Sequence, residues 1–374
     1  MKFSNMFFNS NSFVKDNSQL DLVDLVQKAG FYTQDSAGVF STLSLGYLLE
    51  KRVEQVIQEE LDNIGFSQMR LSLIQDADLW KTSDRYDSYG AELFKLKNRK
   101  NREFVLGATC EEAITSIVKK YYNNSRMDVK VYQIGNKYRD EMRAKGGLIR
   151  GKEFLMSDAY CFSHSDEELI NTYNEVRSAY IKIFTRLGIQ FEIVSSDVGE
   201  MGGNFSEEFR CKSSFGEDKG ADGDNYLEIG HIFNLGDRYS RNFDLKDNQK
   251  NHVLMGCFGI GVSRLIMALL EQNRDEKGFK GTAKFNTFDY IISVIDYATD
   301  KDIADSLYQQ LKQAGKKVLL DDRKIKAGKK FYDSELICIH KRIIINKTTR
   351  ETQIVELLNR ETNEVVNISI SDLV

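Results

Sequence analysis

The chain has 374 residues, 41% of them hydrophobic, and a formal net charge of −4, which suits a protein of roughly two or three folded domains. No segment approaches the roughly 20 apolar residues of a membrane span, so we expect a soluble, cytoplasmic protein without a membrane anchor. Five scattered cysteines without a C-x-x-C pair argue against a disulfide framework and against a zinc site.

The N-terminal part of the chain predicts helices separated by short extended segments. Apolar residues at helical spacing predict helices over residues 18–30 and 43–64. Gly65 ends the second helix, and a strand is predicted over 66–74. A third helix is predicted over 109–123, where a threonine and two glutamates form a favourable start.

The segment from Tyr138 to Tyr160 predicts a hairpin that is rich in charge. Its flanks, VYQIGNKYRDEM and KEFLMSDAYCF, alternate apolar with polar residues, and Gly146-Gly147 lies between them. The cations of this segment are Arg139, Arg143, Lys145, Arg150 and Lys152. Forked cations on one face of a hairpin indicate an anionic ligand, although salt bridges on a surface hairpin would give the same pattern.

The remaining chain continues this alternation and then changes character. A helix over 165–187 begins at the N-cap Ser165, and three strands follow, of which the last runs into a helix from Ser263. The three strand sequences are FEIVSSDVG, YLEIGHIFNLG and HVLMGCFGIGV. From about Phe288 the order becomes strand, helix, strand, which indicates a separate small α/β domain.

Three local motifs occur in a fixed order. Arg139 and Glu141 form Arg-x-Glu, Arg150 and Phe154 form Arg-x-x-x-Phe, and GCFGIGVSR ends at Arg264. This set resembles the signature motifs of class II aminoacyl-tRNA synthetases. A more specific resemblance, to prolyl-tRNA synthetases of the bacterial type, rests on LGATCEEAIT, VYQIGNKYRDE, KEFLMSDAY, EIGHIFNLG, MGCFGIGVSR and LLDDRK, and extends from about Leu20 to the end.

The resemblance implies an α+β fold and a defined reaction. Residues 1–284 would form a catalytic domain with an antiparallel sheet and helices, and residues 285–374 a small α/β anticodon-binding domain. The implied activity is ATP-dependent activation of L-proline to prolyl-adenylate, followed by transfer to the 3′ end of tRNA(Pro), with Mg²⁺ as cofactor. The helix over 43–64 and the strand after it resemble the dimerisation motif of the family, so we expect a homodimer.

The nucleotide site implied by the resemblance matches the chemistry of its residues. The planar fork of Arg139 suits the α-phosphate and the amino-acid carboxylate, and Arg150 suits the outer phosphates. Phe154 and Arg264 would cover the two faces of adenine, and Glu141 would accept from its amino group. The predicted ATP site is Arg139, Glu141, Arg150, Phe154, Glu228, Gly259, Gly261 and Arg264, with Arg139 and Arg264 as catalytic cations and Glu228 as the Mg²⁺ ligand.

The proline site is predicted around the sequence ATCEE. Thr109 and Glu111 suit a protonated secondary amine, although a helix N-cap with acidic residues in its first turn has the same pattern, and both interpretations can hold. Apolar, aromatic and thiol side chains suit the pyrrolidine ring. The predicted proline-binding residues are Thr109, Glu111, Arg139, Met156, Asp158, Tyr160, His231, Phe233 and Cys257.

The C-terminal region carries local positive charge that the total conceals. Residues 315–350 contain 11 Lys or Arg and 4 Asp or Glu, a net charge of +7. By resemblance, the sequence DDRKIKAGKKF predicts an anticodon-binding segment, because unstacked bases need hydrogen-bonding groups beside phosphate-binding lysines. The predicted contacts are Asp322, Arg323, Lys324 and Lys326, and a solvated basic face is the alternative.

The sequence departs from the family pattern at several places. Cys110 replaces a common histidine, and Lys152 replaces a common arginine. Only about 17 residues separate Phe209 from Tyr226, so the editing domain inserted here in many bacterial relatives is predicted to be absent. A pocket alone rejects the smaller alanine by only about 10–200-fold, so a separate trans-editing protein is a candidate partner.

Proline itself is absent, although average usage predicts roughly 19 prolines in a chain of this length. Ser44, Ser72, Ala108 and Ala327 stand where the family commonly has proline. One hypothesis is that a proline-free chain can still be translated when prolyl-tRNA is scarce. Drift toward AT-rich codons lowers proline content too, and deliberate engineering leaves the same composition.

Two other functions fit the same resemblance. A catalytically silent paralogue would bind tRNA or an amino acid, but the intact Arg139, Glu141, Arg150, Phe154 and Arg264 argue against it. A synthetase of the same fold with another amino-acid specificity is the second alternative. Proline-dependent pyrophosphate exchange separates an active enzyme from a silent one, and a screen of all amino acids tests the specificity.

Overall fold

The computed structural model describes residues 1–8, 16–121 and 129–373, so the last two residues of the third predicted helix lie outside the described chain. The chain divides into two compact units. One unit contains the candidate site and consists of Ser36–Phe40 and Val53–Ala268. The other consists of Met1–Asp35, Ser41–Arg52 and Leu269–Val374. A domain boundary after residue 284 stays a prediction.

The helices and strands are numbered in chain order. The helices are α1 (Leu22–Lys28), α2 (Ser44–Asn63), α3 (Ala77–Thr82), α4 (Arg85–Ser88), α5 (Glu111–Tyr121), α6 (Asp166–Leu187), α7 (Arg238–Asn242), α8 (Val262–Gln272), α9 (Tyr297–Gln313), α10 (Ala327–Leu336) and α11 (Lys347–Thr352). The strands are β1 (Tyr32–Ser36), β2 (Val39–Thr42), β3 (Ser67–Gln68), β4 (Ile74–Asp76), β5 (Lys95–Lys97), β6 (Glu103–Leu106), β7 (Val129–Tyr138), β8 (Glu153–Ser163), β9 (Glu192–Ser196), β10 (Phe205–Lys212), β11 (Asp218–Lys219), β12 (Asn225–Gly236), β13 (Leu254–Gly261), β14 (Phe288–Val294), β15 (Val318–Asp321), β16 (Ile339–Ile345), β17 (Ile354–Asn359) and β18 (Val365–Ser369).

An eight-stranded sheet carries the candidate site. Its order is β3-β7-β8-β13-β12-β10-β9, with the short β11 paired to β12. The pairs are antiparallel except β3 with β7. Helix α6 packs against this sheet, and the rings of Tyr180 and Phe184 lie 5.6 and 5.4 Å from that of Phe209. The predicted class II core of an antiparallel sheet with helices is confirmed.

The charged hairpin is confirmed, but its connection is a long loop. Strands β7 and β8 pair from Val129 opposite Phe162 to Tyr138 opposite Glu153. Residues 139–152 connect them, and within this loop Lys145 pairs with Arg150 around two glycines of positive φ. The Gly-Gly turn therefore lies at the tip of a larger loop, which leaves its charged residues beside the sheet.

The connection between β10 and β12 is short. It runs from residue 213 to 224 and contains only β11 as regular structure. Phe215 of this connection packs on the charged hairpin, since a Cβ placed on Gly146 would meet the Phe215 ring at 3.0 Å. This compact segment agrees with the prediction that no editing domain is inserted here.

A five-stranded sheet with order β15-β14-β16-β17-β18 forms the core of the C-terminal region. Strand β14 runs parallel to both β15 and β16, whereas β17 and β18 complete the sheet antiparallel. Its buried core includes Ile292, Leu307, Leu320 and Ile343. Because helices accompany a partly parallel sheet, the predicted small α/β domain is confirmed.

Three local predictions were wrong, the first being the helix over 18–30, which is confined to Leu22–Lys28. Residues 66–74 form no continuous strand, because only β3 pairs with β7 and the chain then leaves the sheet. At Leu71 the backbone N–H donates to the side chain of Gln133 instead of a strand carbonyl, with an N···O distance of 3.0 Å. The third helix begins at Glu111 rather than at Thr109, whose hydroxyl donates to the Glu111 carboxylate. Across the described ranges, none of the helices is both long and apolar enough to span a membrane.

Candidate active site

A cavity of about 250 Å³ opens on one face of the eight-stranded sheet. Alternate residues of β8 and of β13 face it, as expected for a strand with a side-chain period of two. Every predicted proline- or ATP-binding residue except Tyr160 lines the cavity: Thr109, Glu111, Arg139, Glu141, Arg150, Phe154, Met156, Asp158, Glu228, His231, Phe233, Cys257, Gly259, Gly261 and Arg264.

One end of the cavity is closed by Glu111, whose side chain is fully buried. The Thr109 hydroxyl donates to its Oε2, and the Cys257 thiol donates to its Oε1 with an S···O distance of 3.0 Å. Arg85 Nη1 lies 3.4 Å from Oε2 and 2.9 Å from the Glu112 carboxylate behind it. We call the buried set Arg85, Glu111 and Glu112 the carboxylate cluster.

A second buried ion pair stands beside this cluster. Lys137 Nζ lies 2.6 Å from Asp158 Oδ1, and both side chains are at most 3% exposed. Gln133 Nε2 and the Tyr160 hydroxyl both donate to Asp158 Oδ2, at 2.9 and 2.8 Å. Burial by itself lowers the pKa of Lys137, but the Asp158 carboxylate outweighs this effect and raises it. Lys137 is therefore held charged, and its contacts fix the Asp158 side chain in place.

Apolar and aromatic side chains wall the same end. The rings of His231 and Phe233 are stacked, with centroids 3.8 Å apart. Met156, Met201 and Cys257 complete these walls. Burial raises the pKa of the Cys257 thiol far above its usual range, so this sulfur is a neutral hydrogen-bond donor. The space is small, and the carboxylates of Glu111 and Asp158 border it.

The opposite end of the cavity carries cations and an aromatic face. The guanidinium carbon of Arg139 lies 5.1 Å from the ring centroid of Phe154. Arg150 pairs with Glu141 at 2.7 Å and with Glu217 at 3.0 Å. Arg264 donates to the carbonyl oxygen of Ile149 and lies 3.5 Å from Glu228 Oε2. These side chains are partly exposed, unlike the buried carboxylates of Glu111 and Asp158.

Three side chains near Arg264 could hold a cation. The ligand atoms of Glu208, Glu228 and His231 lie within 4.8 Å of one another. Burial tends to raise the pKa of Glu228, but a hydrogen bond with His231 and the charge of Arg264 outweigh it, so that pKa is lowered. Ionised carboxylates are the ligands that Mg²⁺ prefers, so Glu228 and Glu208 fit this ion.

Comparisons with known proteins agree over both regions. The family model for the tRNA synthetase class II core domain (G, H, P, S and T) matches residues 94–273, and that for the anticodon binding domain matches 290–374. A proline–tRNA ligase of Anaplasma phagocytophilum is 34% identical over 93% of this chain and 92% of its own length. One of Sulfurimonas denitrificans is 32% identical over 92% of this chain and 91% of its own. This chain belongs to the proline–tRNA ligase family.

Solved structures of prolyl-tRNA synthetases share the fold of this family member. The enzyme of Cryptosporidium parvum, complexed with L-proline and AMP, gives a TM-score of 0.82 at 18% identity, covering 94% of this chain and 72% of that one. The enzyme of Giardia lamblia, in complex with prolyl-adenylate, gives a TM-score of 0.81 at 20% identity. The match covers 93% of this chain and 73% of that one. At these identities the likeness concerns the fold alone.

One predicted residue of this family member lies outside the cavity. Tyr160 is 1% exposed, and its hydroxyl reaches Asp158 from behind the lining. Burial raises the pKa of this phenol far above its usual range. The geometry therefore does not favour a direct contact of Tyr160 with proline; its hydroxyl instead contacts Asp158, which lines the cavity.

Several residues that support the site escaped prediction, and most of them are of types that are usually exposed. Arg85 and Lys137 are buried cations that contact Glu111 and Asp158. Trp80, the single tryptophan, donates from Nε1 to Gln75, and Gln75 Nε2 donates to the carbonyl of Thr109, at 2.7 and 3.0 Å. For Lys137 the available signal was its position on β7, because it lies on the same inward face of the strand as Gln133.

The predicted anticodon segment separates into two kinds of residue. Arg323 pairs with Asp321 and Asp333 at 2.7 and 2.8 Å and lies 3.5 Å from the ring centroid of Phe3. Asp322 accepts from the backbone N–H and the hydroxyl of Ser4. Lys324 and Lys326, in contrast, are exposed. The first two residues hold the segment together, and the two lysines face solvent.

Proposed function

We propose that this chain activates L-proline with ATP and transfers the prolyl group to the 3′ end of tRNA(Pro). The observation that carries this proposal is one cavity with a buried carboxylate at one end and cations around an aromatic ring at the other. Such a cavity suits an amino acid and a nucleotide side by side. Membership of the proline–tRNA ligase family identifies the amino acid.

The Glu111 end is the proposed site for proline. Its protonated secondary amine would donate to Glu111 and lie near Thr109, and its ring would lie against Phe233, His231 and Met156. The pyrrolidine ring is compact and apolar, so burial against such walls is favourable. Met201 also lines this end and limits its size.

The opposite end is the proposed site for ATP. Adenine would stack on Phe154 with Arg264 on its other face, and Glu141 would accept from its amino group. Arg150 would contact the outer phosphates, and Arg139 would contact the α-phosphate and the proline carboxylate. Gly259 and Gly261, opposite Asp158 and Met156 on β8, leave the floor open, because they carry no side chains.

Glu228, with Glu208 beside it, is the proposed holder of Mg²⁺. The ion would neutralise phosphate charge when ATP is bound. His231 Nδ1 lies 3.3 Å from Glu228 Oε1, which fixes the direction of that carboxylate. Removal of Mg²⁺ with a chelator is expected to stop activation of proline.

The proposed reaction has two steps, neither of which needs a protein nucleophile. The proline carboxylate attacks the α-phosphorus of ATP in line and forms a new P–O bond. The bond from the α-phosphorus to the oxygen of the β-phosphate breaks, and pyrophosphate leaves. The terminal ribose hydroxyl of the tRNA then attacks the carbonyl carbon of prolyl-adenylate, and AMP leaves. Catalysis consists of positioning and of charge stabilisation by Arg139 and Arg264.

ATP–pyrophosphate exchange with each of the twenty amino acids tests this proposal. We expect exchange that depends on proline and is far weaker with alanine and cysteine. Exchange that prefers another amino acid would support a synthetase of altered specificity. Binding of tRNA without any exchange would support a catalytically silent paralogue.

The C-terminal domain is proposed to bind the anticodon stem and loop. The exposed Lys324 and Lys326 are the proposed phosphate contacts, whereas Asp322 and Arg323 shape the segment that carries them. Replacing both lysines with alanine is expected to weaken tRNA charging and to spare proline-dependent exchange. Equal losses of charging and exchange would contradict this assignment.

Two assemblies are proposed in addition. The family resemblance of α2 and the segment after it, where Leu73 and Ile74 are 42% and 56% exposed, suggests a homodimer. Sedimentation at micromolar concentration tests this, and a stable monomer of about 43 kDa would contradict it. A separate editing protein would hydrolyse alanyl-tRNA(Pro), and misacylated product that accumulates in the purified reaction is the expected sign of that need.

A further inference from the structure

The carboxylate cluster has an unbalanced charge. Arg85, Glu111 and Glu112 are at most 1% exposed, and one guanidinium serves two carboxylates. The other groups in contact with them, such as the Ser83 hydroxyl on Glu112 and the Cys257 thiol on Glu111, are neutral donors. When both carboxylates are ionised, the cluster therefore lacks one positive charge, and an unbalanced buried charge is costly.

The guanidinium is not shared equally. Arg85 Nη1 is 2.9 Å from Glu112 but 3.4 Å from Glu111, so the closer ion pair is the one behind the cavity. Three aromatic rings, those of Trp80, Tyr89 and Tyr239, surround the guanidinium at 5.3 to 5.7 Å and fix its place. Glu111 lines the cavity, and Glu112 does not.

We propose that Glu112 is a positioning residue that determines specificity for a cationic amine. By holding Arg85, it leaves Glu111 with a negative charge that the guanidinium does not neutralise. A protonated secondary amine at Glu111 completes the charge balance. This inference rests on the proposed function, in which Glu111 binds the amine of proline.

Two further observations bear on this assignment. Glu112 Oε2 is buried and has no hydrogen-bond partner in the described part of the chain, so the polar contacts of this carboxylate are those of Oε1 with Arg85 and Ser83. Burial raises the pKa of Glu112 and the charge of Arg85 opposes this rise, so the proposed role of Glu112 depends on its close ion pair with Arg85. A bound amine relieves the competition of the two carboxylates for one cation.

Glu112→Gln tests the inference, because glutamine keeps the shape and the acceptor oxygen but removes the charge. Arg85 then neutralises Glu111, and we expect the KM for proline in exchange to rise by about 10–100-fold. The KM for ATP is expected to change little. The second readout is inhibition by tetrahydrofuran-2-carboxylate, the oxygen analogue of proline, which has the same ring but no cationic amine.

The ratio of proline affinity to analogue affinity separates charge from shape. A charge effect lowers this ratio in Glu112→Gln, whereas a distorted pocket weakens both ligands equally and leaves the ratio unchanged. An unchanged ratio in a folded variant would overturn the inference. Absence of proline-dependent exchange in the unaltered enzyme would instead overturn the proposed function itself.

The double variant Arg85→Gln with Glu112→Gln gives an independent test. It removes one positive and one negative charge, so Glu111 is again unbalanced, and the ratio is expected to return toward that of the unaltered enzyme. A ratio that remains low in the double variant would count against the inference, even if Glu112→Gln alone does not fold. Ser83→Ala, which removes a neutral donor to Glu112, is the matched control and is expected to keep the ratio.

Discussion

The two ends of the cavity use charge differently. At the proposed proline end the pairs Arg85 with Glu112 and Lys137 with Asp158 are at most 3% exposed. At the proposed nucleotide end the groups that pair with Arg150 and Arg264 are 11% to 48% exposed. Buried charges are expensive to move, whereas exposed pairs contribute little and exchange partners readily.

This difference matches the two ligands. Proline is small and carries one amine to recognise, so a pocket with buried, fixed carboxylates discriminates well. A triphosphate is large and highly charged, and its site must release cations from their present partners before it binds. The comparison predicts that substitutions at the proline end cost stability, whereas those at the nucleotide end alter binding.

The largest expected effect is on stability, at the buried pair. Lys137→Met leaves the Asp158 carboxylate buried without its cation, which typically destabilises a protein by about 3–5 kcal/mol. The matched control is Lys145→Met, because Lys145 pairs with Glu217 at 2.8 Å but both are about half exposed. We expect that control to cost less than about 1 kcal/mol. Urea denaturation of both variants measures their free energies of unfolding, and equal losses of stability would contradict the expected difference.

The next effect concerns Arg139, which is predicted to contact both substrates. Arg139→Ala is expected to lower the rate of adenylate formation by about 10²–10³-fold, because the charge it stabilises develops in the transition state. The fold should survive, since Arg139 is only partly buried. Single-turnover formation of prolyl-adenylate measures this rate, and near-normal activity would remove Arg139 from the site.

A smaller effect is expected at Glu217, which occupies Arg150 and Lys145. Glu217→Gln removes the carboxylate that competes with the outer phosphates, so the KM for ATP should fall by about 1.5–5-fold. The KM for proline should not change. Asp224→Asn, in the same connection and paired with Lys212, is the control. A rise in the KM for ATP would mean that Glu217 positions Arg150 for the nucleotide.

The smallest expected effect is on stability, at Ala327. This residue does not line the cavity, so the variant serves as a reference for the other predictions. Ala327 is the first residue of α10, where the fixed φ of proline and its missing N–H are tolerated, and Lys326 before it is extended. Ala327→Pro is expected to stabilise the protein by about 0.4–1 kcal/mol in urea denaturation. Ala304→Pro, inside α9, is the control and should destabilise by about 3 kcal/mol or more.

The sequence motifs predicted most of the lining of the cavity. Phe154, Met156 and Asp158 follow one another at a spacing of two, and such residues share one face of a strand. The family resemblance then placed Arg264 and Glu111 against the same face. Side-chain alternation and motif order were sufficient here, because neither depends on distant contacts.

The charged residues behind the lining could not be predicted in this way. Arg85 stands in a polar stretch, and an arginine there is more often a solvated residue. Its burial depends on Glu111, Glu112 and Tyr239, which lie far away in sequence. The partners of Arg323 could not be predicted either, because folding brings the Asp333 carboxylate to it; its contact with the anticodon stays a prediction.

The single tryptophan lies where its intrinsic fluorescence can report on the candidate site. Trp80 is fully buried against the guanidinium of Arg85 and is linked through the Gln75 amide to the backbone of Thr109. A charge that moves near an indole shifts its emission spectrum. Binding of a ligand at the Glu111 end can therefore be followed by intrinsic fluorescence in real time. No dye is needed, and no second tryptophan obscures the signal.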